Sequence, residues 1–382
     1  METQVSERLE KLTVLRKHLH QYPELSQQEF ETQEYLREVL SDLSGGSLQT
    51  IGGTGLLLTF EGKEAGKTIL LRADIDALPI QEVNEMPWRS LRDGVSHKCG
   101  HDGHTAIMVG VAMALAERPP QKGRVLLLFQ PAEENGAGAN LVLQDPIWDE
   151  VQPDLAFALH NLPGFPLHQV VLREPYFTAA VKSVILDLKG AVSHAAEPEK
   201  GCNPALAIAE IIQMFDSLAQ PLPEREDFAL TTPVHINMGE KAYGISAGAG
   251  SVHYTLRTWD NEQMGTFVER IMDAAQAIAT KHGLKLSSSF TQEFYANKNN
   301  AEAVKLIRES AVSCGLEVRD TEQAFRWGED FGLFTERFPG ALFGLGAGVD
   351  QPPLHREDYD FPDALIETGT DLFVKIIRNS LS

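Results

Sequence analysis

The sequence predicts an α/β chain in two domains: a mainly parallel sheet domain, and a small α+β sandwich inserted into it. Three observations carry this. The chain has 382 residues, and at roughly 150 residues per domain that is enough for two or three. Short unbroken apolar runs bounded by Gly or Pro alternate with helical stretches, the texture of strands covered on both faces. Near Ala180 that texture gives way to alternating strands and long amphipathic helices, and from about Thr291 the first texture returns.

Taken in order, Val5, Leu9, Leu12, Leu15 and Leu19 fall at helical spacing before Pro23, and Ser26-Gln27-Gln28-Glu29 reads as a capping-box start of a second helix. Leu56–Leu58, Ile69–Leu71, Val125–Phe129 and Leu155–Leu159 read as buried strands, with a helix over about 105–117 between them. Val181–Leu188, a helix over about 204–218, Val252–Arg257 and a helix over about 262–282 make up the sandwich. A helix near 301–312, a Gly-rich strand over 341–348 and a terminal helix after Pro362 complete the first domain. The expected division is 1–179 with 291–382, interrupted by 180–290. In open α/β sheets the active site belongs at the carboxyl ends of the strands.

Composition narrows the partners. Fifty-four acidic residues oppose 33 basic ones, a net charge of −21, so the surface field repels nucleic-acid backbones and anionic lipid headgroups. The polar start Met1–Val5 lacks a secretory n- and h-region, and the run Ala106–Ala116 is too short to span a bilayer. Three widely spaced cysteines, Cys99, Cys202 and Cys314, argue for a reduced, cytoplasmic setting rather than a disulfide framework.

Chemistry concentrates at the expected strand ends. In Cys99-Gly100-His101-Asp102-Gly103-His104, an extended segment would turn Cys99 and His101 to one side toward a single ion; the competing reading is a helix start capped by Asp102 around a buried Cys. Pro131-Ala132-Glu133-Glu134 follows a strongly apolar strand, and adjacent carboxylates pointing in opposite directions let one bind metal while the other moves protons. Read alone, the same residues make an acidic turn. His160 closes the next buried strand, and the prolines of Gln351-Pro352-Pro353-Leu354-His355 fix the path of His355. Together these residues amount to two metal sites with mixed N, O and S donors. A pair of cations is a hydrolytic device that supplies a nucleophilic water near neutral pH, with a free carboxylate such as Glu133 relaying the proton. Thiolate and imidazole donors favour Zn, Mn, Ni or Co over Mg or Ca.

The stretches Arg72-Ala73-Asp74-Ile75-Asp76-Ala77-Leu78-Pro79, Lys98–Ala106, Gln130–Glu134 and Pro353-Leu354-His355 resemble, in order and over nearly the whole chain, the aminoacylase/hippurate hydrolase amidohydrolases, the branch with auxin-conjugate amidohydrolases and N-acetyl-diaminopimelate deacetylases. The resemblance implies a metallopeptidase-type α/β catalytic domain with a satellite domain through which members often form homodimers. It implies two divalent ions held by Cys99, His101, Glu134, His160 and His355, with Glu133 as general base and acid and Asp74 as an acid beside the metals. Ser193-His194-Ala195-Ala196-Glu197-Pro198 resembles the satellite motif whose histidine, here His194, helps hold the developing oxyanion. The implied reaction is hydrolysis of the amide of an N-acyl amino acid or similar small conjugate.

One departure stands out. Gly244 replaces the asparagine of the family's satellite motif, and the run Gly244–Gly250 is expected to present backbone N–H groups to an anion instead. His18 and His20, on the first helix, are assigned no role; His97 and His104 flank the metal motif. Glu329-Asp330 resembles a family segment near the active site. The competing functions are a metallodipeptidase, distinguished by assay of unblocked dipeptides, and a catalytically silent binding relative, distinguished by its metal content.

Overall fold

A computed structural model describes residues 2–382, with side chains from residue 7 onward; Met1 and the side chain of Val5 lie outside the described residues. Two compact units form. The first comprises Met1–Phe177, Asn297–Glu322 and Glu329–Ser382, and the second Thr178–Ala296 and Gln323–Gly328. The second unit thus reaches beyond the expected 180–290, because its last strand, Lys285–Phe294, runs past residue 290 before the chain leaves the sheet.

The first unit holds an eight-stranded mixed sheet in the order Gly46–Ile51, Gly55–Glu61, Lys122–Gln130, Glu64–Asp74, Leu155–Pro163, Gly340–Gly348, Val170–Leu172, Val318–Asp320. Its four central strands, Lys122–Gln130 through Gly340–Gly348, are mutually parallel. The apolar run Val125–Phe129 is wholly buried, as a strand covered on both faces must be. Helices His101–Glu117 and Ala364–Ser380 pack on each other, with the leading helix Glu2–Gln21 against the former. Four parallel strands therefore end side by side; three are followed by a segment carrying part of the expected site, and Leu155–Pro163 carries His160 near its own carboxyl end.

Local sequence explains most boundaries and corrects two. The helix Phe30–Ser41 has no capping box: Glu24 accepts from the backbone N–H groups of Glu31 and Thr32, at 3.2 and 2.8 Å. Ser26 and Glu29, the expected cap residues, turn to other partners described below. The helix after Cys99 begins at His101 rather than near Thr105, because Gly100 takes φ +96° and accepts the N–H of His104 at its carbonyl. Asp102 is accordingly a first-turn residue, not the cap.

In the second unit four antiparallel strands run in the order Lys285–Phe294, Ala180–Lys189, Ala249–Thr258, Ala229–Met238. Val184, Leu186 and Leu188 alternate inward with Val252, Tyr254 and Leu256, and bury one sheet face together with Ile211, Phe215, Phe267 and Ile271 of helices Ala205–Leu218 and Asn261–Lys281. The Phe215 and Tyr254 rings stack at 3.8 Å. Asp260 caps the second helix by accepting from Gln263 N–H. Among the described residues no helix is long and apolar enough to cross a membrane.

Candidate metal centre

Cys99 reaches the site from the turn before the helix, and His101 is that helix's first residue; the left-handed Gly100 between them sets their relative direction. A Cβ on Gly100 would lie 2.7 Å from Asn161 Oδ1, so space as well as φ excludes other residues. The extended geometry expected for Cys99–His101 is replaced by this turn, and the two side chains still converge. Glu133 and Glu134 follow the strand Lys122–Gln130 through a second left-handed residue, Ala132 (φ +55°), whose N–H is held by Glu29 at 2.8 Å. Thr54 in turn donates to Glu29 at 2.6 Å. His160 lies near the carboxyl end of Leu155–Pro163. His355, in the loop after Gly340–Gly348, has φ +66°, and its N–H is held by the carbonyl of Lys98.

These donors meet. Cys99 Sγ is 3.5 Å from His160 Nε2 and 3.3 Å from His355 Nε2. His355 Nε2 is 3.7 Å from Glu134 Oε2, and His101 Nε2 is 3.8 Å from Glu134 Oε1. Cys99, His101 and His160 form one compact donor group, and Cys99, Glu134 and His355 another, so the cysteine sulfur belongs to both. Of the five, only His355 is substantially open, with half its side chain exposed.

The second layer fixes the tautomers that ligation needs. His101 Nδ1 faces the Asp76 carbonyl at 3.0 Å and its carboxylate at 3.3 Å, which leaves Nε2 as the inward lone pair. His160 Nδ1 donates to the Asn161 carbonyl at 2.9 Å, again presenting Nε2. Asp76 also accepts from the Glu134 N–H and from the hydroxyl of Ser26. Asp74, fully buried, accepts from Arg72 Nη1 through Oδ2 at 2.6 Å and pairs through Oδ1 with His104 Nδ1 at 2.6 Å; Oδ2 also lies 3.6 Å from His101 Nε2.

The electrostatics are those of a cation site. Burial, then Glu134 and Glu133, pushes the Cys99 thiol well up. Glu133 rises well above the carboxyl range through burial and then the like charges of Glu329 and Glu134, and burial lifts Glu134 to about 8 although His101 opposes it. Burial, with His104 and His101 nearby, holds His160 well below its usual value, so it stays neutral. Carboxyl and thiol groups that resist ionising around the neutral His160, together with a His101 that, against its burial, Asp74 and Asp76 raise to about 10, mark a site that positive charge would relieve. The inward atoms His101 Nε2 and Glu134 Oε1 are buried with no hydrogen-bond partner, a costly state for polar atoms unless a cation takes them up. The residues present therefore fit a metal pair.

Behind Glu133 lies a buried clamp. Arg72 meets Asp74 and Asp330 at 2.6 Å each and Glu329 at 2.9 Å, and its Nε donates to the side-chain Oε1 of Gln130 at 2.9 Å. Gln130 and the Ala139 N–H donate to Asp330. Glu329-Asp330 is thus packed beside the proposed base, within the same cluster of carboxylates as Glu133.

Within the second unit, His194 is exposed on the two-residue strand Ser193–His194, paired with Ile245–Ser246; its Nδ1 accepts from Ala196 N–H at 3.0 Å. The expected anion nest over Gly244–Gly250 is overturned. No residue of that run has a positive φ, and it forms strand pairs with Ser193–His194 and with Ala180–Lys189 instead of a concave turn.

Several residues at the site had no clear signal in sequence. Asp76, Ser26, Glu29, Thr54 and Asn161 act through contacts 25 to 103 positions apart along the chain, as in His101–Asp76 and Ala132–Glu29. Asp76 stands two residues beyond Asp74, which ends its strand, within the Arg72–Pro79 stretch that carries the resemblance but without a role assigned from it.

With this geometry in hand the comparisons are consistent. The model of Peptidase family M20/M25/M40 matches residues 70–379, and the chain belongs to that family. It is similar to the N-acetyl-L-cysteine deacetylase of Bacillus subtilis, 33% identical over 88% of this chain and 80% of the relative. It is likewise similar to the N-acetyldiaminopimelate deacetylase of the same organism, 31% identical over 95% and 96%. Among solved structures, a dinuclear metal-binding M20 peptidase of Bacillus subtilis superposes with a TM-score of 0.84 at 28% identity, covering 98% of this chain and 99% of its own.

Proposed function

We propose that the chain is a metal-dependent amidohydrolase that cleaves the amide of N-acyl amino acids or related small conjugates, releasing a carboxylic acid and a free amino acid. The observation that carries this is the convergence of Cys99, His101, Glu134, His160 and His355 around two buried, unpartnered donor atoms, beside Glu133. Two divalent ions would be held by these five residues. When bound, such a pair supplies Lewis-acid polarisation of the carbonyl and an acidified water. The deacetylase relatives act on N-acetyl amino acids, which makes small acyl groups the first substrates to test.

The chain's own residues do the rest. Glu133, pushed up by burial and by Glu329, accepts the proton of the attacking water and delivers it to the departing amine nitrogen; an ordinary carboxylate would be too weak a base. Arg72 and Asp330 keep the neighbouring carboxylates fixed so that Glu133 stays free of a counter-ion of its own. Asp74 orients His104 and backs His101. His194 is the donor for the oxyanion, supported by its exposed ring on a short paired strand. The strand Ala229–Met238, at a sheet edge with Val234, Ile236 and Met238 exposed, supports association into a homodimer through the second unit. The three free cysteines support a cytoplasmic setting.

Glu133→Gln tests the core of this reading. Turnover of N-acetyl amino acids should fall by at least about 1000-fold while metal content by mass spectrometry stays at two per chain. Substantial remaining turnover removes Glu133 from its role, and faster cleavage of unblocked dipeptides than of N-acetyl amino acids by the wild type replaces the substrate assignment.

A further inference from the structure

Beneath the Cys99–His101 turn runs a buried chain of alternating charge that the reaction does not use. Arg16, His20, Glu82, Lys98 and Asp102 are each at most 1% exposed, a rare concentration of charge for a core. Arg16 Nη1 donates to Asp102 Oδ2 at 3.2 Å and to Asp360 at 2.8 Å, and its Nε forms an ion pair with Asp363. His20 Nδ1 meets Asp102 Oδ2 at 2.8 Å, and its Nε2 meets Glu82 Oε1 at 3.1 Å. Lys98 Nζ donates to the same Glu82 oxygen at 2.5 Å and to the Tyr359 carbonyl at 2.8 Å.

The ends of this chain are covalently next to the proposed ligands. Asp102 follows His101, Lys98 precedes Cys99, and the Lys98 carbonyl receives the N–H of His355 at 2.8 Å. One imidazole therefore spans both sides of the turn that sets Cys99 against His101. We propose that His20 is a positioning residue for the metal centre: as a rigid strut between Asp102 and Glu82, it fixes the separation of Cys99, His101 and His355 and thereby the tightness with which the ions are held. Both ring nitrogens face carboxylates, so both carry hydrogen. The hydrogen bonds to Asp102 and Glu82 outweigh burial and hold this histidine protonated up to about pH 9, so the strut persists across the physiological range. The ring plane gives it a fixed span that a flexible ammonium would lack. The inference rests on the metal-centre reading, which the wild-type titration below tests separately.

The experiment uses the full chain, stripped of metal and titrated with Zn2+ against a chromophoric chelator, and with Co2+ followed by its d–d absorption. Wild type should take up two ions; if it takes none, the metal-centre reading fails, whatever the variants do. His20→Gln keeps the volume but cannot donate in both directions. It should weaken Zn2+ binding 10- to 100-fold, the usual cost of losing an outer-layer partner, and change the Co2+ band shape. Leu36→Ala, a fully buried core truncation remote from the turn, should lower the melting temperature and leave affinity and spectrum as in wild type. If His20→Gln matches wild type in affinity within twofold and in spectrum, the strut is merely structural and the proposal is overturned. Should His20→Gln fail to fold, the neutral pair Lys98→Met with Glu82→Gln removes the other arm and must show the same loosening; wild-type affinity there overturns the proposal equally.

Discussion

Replacing Arg72 by Met isolates the clamp behind Glu133. Met roughly fills the apolar volume and removes the guanidinium that faces Asp74, Asp330 and Glu329. Breaking a buried pair by removing one partner costs about 3–5 kcal/mol. Three carboxylates do not triple this, because Asp74 keeps His104 and Asp330 keeps Gln130 and the Ala139 N–H. For metal-free protein of this size, with a urea m-value of about 3 kcal/mol/M, the midpoint should fall by about 1–1.5 M. Fluorescence of Trp148, buried against Phe334 and Phe338 in the same unit, follows the transition. The sign of the pH dependence is fixed. In wild type Asp74 is held well below the usual range, since His101, His104 and Arg72 overcome its burial, so its contribution is present above pH 4 and is lost on acidification. Burial raises Asp330 to about 7 despite Arg72. Without Arg72, Asp74 and Asp330 titrate higher, so acid relieves the variant more than the wild type and the gap narrows from pH 8 to pH 5. A loss that is the same at both pH values, or below about 1 kcal/mol, would mean that Arg72 only fills space.

Two further outcomes follow from the same geometry. Gly100→Ala must strain a φ of +96° and push against Asn161, so it should lose about 1–3 kcal/mol and bind zinc more weakly; a scanning-calorimetry melt with and without Zn2+ measures both, and an unchanged pair of melting temperatures contradicts the role given to the turn. In metal-free protein at pH 8, iodoacetamide should label Cys314 and Cys202 before Cys99, whose thiol is buried and pushed well up; peptide mapping that finds Cys99 modified first would show the anionic crowding around it to be absent.

The central strands of the first unit's sheet were legible because they are buried on both faces, and Val125–Phe129 or Leu155–Leu159 carry that burial in their own composition, whereas the exposed edge strands Gly46–Ile51 and Val318–Asp320 have no such signature. The inserted sandwich was legible from alternation in Val181–Leu188. What local pattern could not show was which partner a short polar residue would choose. Ser26 and Glu29 have the spacing of a capping box, yet Ser26 bonds Asp76 and Glu29 holds the Ala132 turn, while Glu24 caps the helix from outside it. A capping box offers each residue one hydrogen bond worth about 1 kcal/mol in partial solvent exposure; the site offers buried donors whose neglect would cost more. The tertiary partner wins for that reason, and no window of neighbouring sequence contains it.

The same asymmetry separates the proposed ligands from their supports. Cys99, His101, Glu133, Glu134, His160 and His355 stand at the ends of strongly patterned elements, so pattern and chemistry point to them together. His20 stands on an amphipathic helix at a position that any satisfied core histidine could occupy, and only the pairing of its two nitrogens with Asp102 and Glu82, 82 and 62 positions away, distinguishes it. The anion nest failed for a related reason. Glycine permits a left-handed backbone but does not impose it, and here Gly248 is glycine because a Cβ would strike Val192 and Ala191, and Gly250 because it would strike the Asn237 carbonyl. Composition at those positions reports close strand packing, and a reading of glycine as an anion cradle needs a dihedral angle that sequence does not contain.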